Sequence, residues 1–233
     1  MNATNVVINA KDSAEIASNI TANNNVNITA GNGVTFTESA NTASNQGTAV
    51  NVGIGAGATI NVETGVAVPH VNGSVGVNKT DNASSTATGA NVAAGNDIKI
   101  NANNGDVNLH GTNLVSNNSV EVEGNKVNTS GAISSVNEKN LTVNVNGSYA
   151  SGKPNGSINA KGKNEATVTN TANTIQSDNV VITTGSPTGL SVNNTTINGN
   201  NVAYYYDDSK APAANRYTYR PRQPSYAKRR LRY

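Results

Sequence analysis

One unit recurs along the chain: an apolar residue, a four- or five-residue polar stretch rich in Asn, Gly or Asp, then an apolar residue again. The clearest copies are Ile20-TANNN-Val26-Asn-Ile28, Val92-AAGND-Ile98-Lys-Ile100 and Leu114-VSNNS-Val120-Glu-Val122. Ile175-QSDN-Val180 and Ile197-NGNN-Val202 are shorter copies. Val92 and Leu114 are 22 residues apart, as are Ile175 and Ile197. Val26 to Phe36 also matches Ile98 to Leu109 with one extra residue. Each apolar-polar-apolar triplet reads as a short strand with two side chains facing inward, because side chains alternate along a strand. The intervening Asn, Gly and Asp tolerate left-handed backbone and bond their own main chain, so they read as turns. Strands of three to five residues cannot make a hairpin sheet of ordinary length. They can make the sides of a coil of roughly 20–22 residues, with coils stacked about 4.8 Å apart.

A stacked coil needs only a thin core, and composition supplies no more. Val, Ile, Leu and Phe number 26, 13, 5 and 1 among 233 residues. Abundant Val with little Leu disfavours helix, since β-branched side chains suit a pleated surface. The 43 Asn gain a use, because equivalent positions would stack into amide ladders. The expected body is therefore an all-β solenoid over residues 1–203. With no Cys there is neither a disulfide framework nor a thiolate metal site. No apolar run approaches the ~20 residues of a membrane-spanning helix. Residues 1–25 show no basic segment followed by an apolar one, so no secretory signal is visible.

Two segments break the coil period. Val50, Val52, Ile54, Ala56, Ala58, Ile60 and Val62 alternate with Asn, Gly and Thr. Gly65 interrupts, and alternation resumes through Val66, Val68, Val75 and Val77. This predicts a β-hairpin over about 50–77. Leu141, Val143, Val145, Tyr149 and Ile158, with Asn146-Gly147 and Asn155-Gly156, predict a second over about 141–158, Asn-Gly being a strong turn signal. Both hairpins are expected to project from the solenoid, the first alternatively lying along it. Exposed strands add partners readily, so both are candidate interaction edges, the alternative being that they only cap or cover the coil.

In order, the chain runs from Asn-rich coil strands (Ile20–Phe36) through a Ser/Thr/Asn connector to a Gly-alternating segment (Val50–Val77). A second connector (Thr80–Thr88) and GND-IKINANNGDVNLHGTNLVSNNSVEVEGNKVN follow. This order is similar to the haemagglutinin-repeat region of filamentous-haemagglutinin-like proteins, the large two-partner-secretion adhesins of Gram-negative bacteria. The resemblance is good over residues 18–130, weaker over 131–203 and absent beyond. It implies a right-handed parallel β-helix, export through an outer-membrane transporter, surface display and adhesion to host or sibling cells. Some members of the family deliver a C-terminal toxin instead. The chain departs from a full-length member by lacking the signal peptide and secretion domain and by being very short, which fits a fragment of a larger exoprotein, a degraded reading frame or a terminal segment.

Signs of catalysis are few. The His residues are His70 and His110. Asp106 precedes His110 by four residues, more than about 12 Å of extended chain, so His110 is expected to cap a turn rather than serve a catalytic relay. β-Helix lyases and hydrolases need clustered carboxylates, whereas the 12 acids of residues 1–203 are scattered. Glu121 and Glu123 share a strand face, where solvation explains them. Asp97 and Asp106 sit in Gly-containing turns, but the Gly-Gly-x-Gly-x-Asp series of calcium-binding repeats is missing. No phosphate-cradling Gly-Lys-Ser/Thr loop occurs. No catalytic residue, cofactor or metal is expected. Asn-x-Ser/Thr sequons at Asn19, Asn27, Asn72, Asn78, Asn117, Asn140 and Asn194 follow from composition and leave glycosylation open.

Charge divides the chain near Tyr204. Residues 1–203 hold 8 Lys and 12 acids, a net of −4, and residues 204–233 hold every Arg and a net of +6. The second segment, which also has seven of the eight Tyr, is expected to be a disordered basic tail. Its Arg216, Tyr217, Tyr219, Arg220, Arg222, Lys228, Arg229, Arg230 and Arg232 form a candidate contact for an anionic polymer, with the Tyr residues placed to stack on sugars or bases. No specific nucleic-acid partner and no membrane span are expected. Three function classes stand. One is a secreted or surface-displayed adhesin segment that attaches to cells or glycans. The second is a structural spacer or delivery stick of a contact-dependent inhibition exoprotein. The third, weighed against by the scattered acids, is a polysaccharide-active enzyme.

Overall fold

A computed structural model describes residues 1–207. Among these, every regular element is a strand. The first coil contains β1 (Asn2–Ala3), β2 (Val6–Ala10) and β3 (Ala14–Ile16), and the second β4 (Ile20–Ala22), β5 (Val26–Ala30) and β6 (Val34–Phe36). Two long strands follow, β7 (Ser39–Ile60) and β8 (Ala67–Thr88). The third coil holds β9 (Asn91–Ala94), β10 (Asp97–Ala102) and β11 (Val107–His110), and the fourth β12 (Asn113–Ser116), β13 (Ser119–Gly124) and β14 (Val127–Ser130). A second long pair, β15 (Ala132–Ala150) and β16 (Lys153–Thr171), precedes β17 (Asn173–Gln176), β18 (Asn179–Thr184) and β19 (Leu190–Val192) of the fifth coil. β20 (Thr195–Asn198) and β21 (Asn201–Tyr206) begin a sixth.

Corresponding strands of successive coils pair in parallel, giving sheets ordered β1-β4-β9-β12-β17-β20, β2-β5-β10-β13-β18-β21 and β3-β6-β11-β14-β19. The fold is a parallel β-helix. Register makes each inward position a column. One runs Ile20, Val92, Leu114, Ile175, Ile197. A second runs Val6, Val26, Ile98, Val120, Val180, Val202. A third runs Ala14, Val34, Val107, Val127, Leu190. From Val26 to Val180 the second column is buried. Full burial of such a side chain is worth about 1.5–3 kcal/mol, so the solenoid gains most of its stability from side chains stacked on their own equivalents.

The expected amide ladder lies at the corner before β2, β5, β10, β13, β18 and β21. Asn5 Oδ1 accepts from Asn25 N–H, Asn25 Oδ1 from Asp97 N–H, and Asp97 Oδ1 from Ser119 Oγ. Asn201 Nδ2 donates to Asn179 Oδ1 at 3.0 Å. Carboxylates join other turns in the same way: Asn125 Nδ2 donates to Asp106 and Asn200 Nδ2 to Asp178, both at 3.0 Å.

β21 continues past the composition break. Tyr204 extends the column of Ile8, Ile28, Ile100, Val122 and Ile182. Its hydroxyl bonds Thr184 Oγ1 at 2.7 Å and donates to Ser186 O at 3.0 Å. The first of the tail's tyrosines is thus a rung of the coil.

Residues 42–85 and 135–168 form a second compact unit, a four-stranded sheet ordered β16-β15-β8-β7. Its strands are longer than the apolar alternation indicates, because the Ser/Thr/Asn stretches expected as connectors are also paired: Thr80 faces Asn140 and Ser84 faces Val136. The turn of the second hairpin differs from expectation. Asn146 and Gly147 lie inside β15, opposite Ser74 and Gly73. The chain reverses at Ser151 and Gly152, with φ of 53° and 75°. Two consecutive left-handed residues make the tight turn whose twist suits a hairpin. In the first hairpin Asn61 O accepts from Gly65 N–H at 2.7 Å, and Gly65 has φ 65°.

Candidate functional site

Several charged side chains of the solenoid are occupied with structure. His110 ends β11, and its Nδ1 bonds Ser130 Oγ of the following coil. That is a cross-coil strand contact in place of the expected turn cap. Asp106 accepts from Asn125 and from Lys126 N–H, so the two do not form a relay. Glu121 pairs with Lys99 at 3.2 Å. This hydrogen bond is the main reason the Lys99 pKa is raised, against a smaller opposing effect of burial. Among the described residues, no group of three or more His, Asp or Glu could hold a metal ion. No helix there is long and apolar enough to cross a membrane. The nine candidate tail residues, Arg216, Tyr217, Tyr219, Arg220, Arg222, Lys228, Arg229, Arg230 and Arg232, lie outside the described residues.

The four-stranded sheet is different in character. β8 and β15 are antiparallel, with Val75 opposite Val145, Val77 opposite Val143 and Val71 opposite Tyr149. On the β7 side, the Gly53 position abuts Ser74 Oγ, Gly55 abuts the Asn72 amide, and Gly57 abuts the His70 ring. Each step of two up β7 is matched by a step of two down β8, so Val52 lies opposite Val75. The two-residue turn at Ser151–Gly152 sets Ile158 of β16 opposite Val145. One face of the sheet therefore has transverse rows: Val50, Val77 and Val143; Val52, Val75, Val145 and Ile158; Ala56, Val71 and Tyr149. Nearly all of these side chains reach solvent: Val50 is 60% exposed, Val52 69% and Ile158 73%. The opposite face presents Gly53, Gly55, Gly57, Asn72, Ser74 and Asn146. Gln46, Asp81 and Lys139 bound the apolar face at one end, with Gln46 Nε2 donating to Asp81 at 3.0 Å. A contiguous exposed apolar patch rimmed by polar groups is the signature of an interaction surface.

A haemagglutinin-repeat family model ("Hemagglutinin repeat") matches residues 71–204, more than half of the chain. The chain belongs to the haemagglutinin-repeat family. It is thus an adhesin-type, filamentous-haemagglutinin-like segment. The match runs through residues 131–203, where the resemblance read from sequence is weaker. The reason is visible in the register, since Ile175, Val180, Ile197 and Val202 occupy the same columns as the clearer copies. No curated protein and no solved structure matches the chain. Haemagglutinin-repeat proteins are secreted or cell-surface adhesins.

Sequence reasoning found both hairpins, but not that they pair with each other. The alternations of Val71–Val77 and Leu141–Tyr149 were the available signal, since two half-apolar strands of equal period need a common face.

Proposed function

We propose that this chain is a non-enzymatic surface adhesin segment. The solenoid serves as rod, and the exposed apolar face of the four-stranded sheet makes the attachment to cells or glycans. The observation that carries this reading is the exposed row Ala56, Val71 and Tyr149 on the same face as Val52, Val75, Val145 and Ile158, with Ile54, Gly73 and Gly147 between them. An aromatic ring on an open sheet can stack on a sugar, and Gln46, Asp81 and Lys139, about 33 Å along the strands from Tyr149, offer polar groups to a more distant part of an extended glycan. The chain would reach the surface through the outer-membrane transporter of its parent exoprotein. The test is binding of the full chain to a defined glycan array and to erythrocytes, beside Tyr149→Ser/Val145→Ser. The proposal expects binding that the double variant loses while its circular dichroism is unchanged. Full binding by the variant, or none by the parent chain, would sink it.

A spacer or delivery-stick role is favoured by the stacked core, which serves a rod whatever the rod carries. It expects no binding by this chain alone. For the basic cluster of Arg216–Arg232 we propose an anionic-polymer contact, supported by its charge and its interleaved Tyr.

A further inference from the structure

The two edges of the four-stranded sheet are treated differently. β16 carries Lys153, Pro154, Lys161, Lys163 and Glu165, the charges and proline that keep an exposed edge from recruiting another strand. β7, the opposite edge, has no charged residue and no proline in its 22 residues. Along one side of β7, alternate backbone N–H and C=O groups have no strand beside them among the described residues. An unguarded edge of that length is a template for strand addition.

The sequence of β7 indicates what it accepts. A two-fold axis sets each residue opposite its mirror position, so a charge on the axis would oppose its own copy and a charge off it would need an opposite charge at the mirror position. β7 has none. Centred on Gly55, an antiparallel pair of β7 strands places Ile54 opposite Ala56, Val52 opposite Ala58 and Val50 opposite Ile60. Near the centre, large side chains meet small ones on the apolar face. On the other face Gly53 meets Gly57, and Asn51 meets Thr59. Each face meets its like, as cross-strand pairing requires.

We infer that β7 is a self-pairing edge, through which a second copy of this chain joins by antiparallel β7–β7 pairing about Gly55. The result is one continuous eight-stranded sheet. Because the pairing is isologous and the outer β16 edges are guarded, assembly closes at a dimer rather than growing into a fibre.

The test is sedimentation velocity of the full chain up to about 100 µM, a range that detects even modest affinity. The expected species has twice the 23.8 kDa mass of one chain. Val52→Lys/Ala58→Lys sets lysines opposite each other twice across the seam and should weaken association tenfold or more. Val52→Lys/Ala58→Glu sets opposite charges there and should restore the dimer. Both positions are exposed, and the restoring variant shows whether the loss reflects pairing rather than folding. A monomeric parent chain at that concentration, a Lys/Lys variant that stays dimeric, or a Lys/Glu variant as monomeric as Lys/Lys would each overturn the inference.

Discussion

Asn173 shows what a single amide does in a chain so rich in them. It is fully buried at the first position of β17, where the chain re-enters the solenoid after the second hairpin. Its Oδ1 accepts from Thr112 N–H at 2.7 Å, and its Nδ2 donates to Ser130 O at 2.9 Å and meets Thr195 Oγ1 at 3.1 Å. One side chain thereby ties together the fourth, fifth and sixth coils. Asn173→Ala leaves the buried Thr112 donor unpaired, which costs about 1–3 kcal/mol. A urea melt should show that loss, and Asn27→Ala, on the exposed face of β5, should cost less than about 0.5 kcal/mol. The Lys99–Glu121 pair lies at the other extreme. Both side chains are more than a third exposed, so the pair is worth at most a few tenths of a kcal/mol. Since the Lys99 pKa is raised in the folded state, this contribution is complete below the unfolded value near 10.5. It disappears as pH climbs through the folded value. Lys99→Gln should therefore cost little at neutral pH, and nothing once pH exceeds the folded-state pKa of Lys99, in paired melts across that range.

At the scale of elements, the corner where the hairpins leave the solenoid is closely packed. Gly111 joins the third coil to the fourth with φ 57°. A Cβ there would come within 2.5 Å of Ala132 Cβ, at the start of β15. Ser134 Oγ accepts from Ala87 N–H at 3.0 Å beside it, linking the two strands that bracket this corner. Gly111→Ala meets both a left-handed backbone and a clash, and should destabilise by about 1–3 kcal/mol. Thermal melts beside Gly147→Ala, whose position is open, would separate this corner from an ordinary sheet glycine. The columns of the solenoid were legible in the sequence because a two-residue alternation repeats once per coil. Ile98, Val120 and Val180 could be aligned without coordinates. The sheet was only half legible. Asn146-Gly147 looked like the turn, yet a central strand paired on both sides tolerates it. Ser151-Gly152 carries a weaker signal but sits where the two strands have equal length. Ser/Thr/Asn stretches such as 80–88 carry no periodicity, so their pairing was fixed by the partner strand. The apolar face emerged only from two hairpins added together.

For the whole molecule, charge is the long-range variable. Residues 1–207 hold 8 Lys and 13 acids, and residues 208–233 hold eight cations and Asp208. A body of net −5 thus continues into a segment of +7. On net charge the body repels a polyanion and the segment attracts it, so binding to heparin or a similar polymer is expected from residues 208–233. A cut at 203 would remove Tyr204, whose hydroxyl ties the sixth coil to the fifth. Deletion should therefore begin at residue 208. On a heparin column the full chain should be retained at low salt and released as salt rises, because each neutralised anion returns a counterion to solution. The 208–233 deletion should flow through with its melting temperature unchanged. Retention of the deleted chain would move the contact to the body. Release of the full chain that is indifferent to salt would show that its attraction is not ionic.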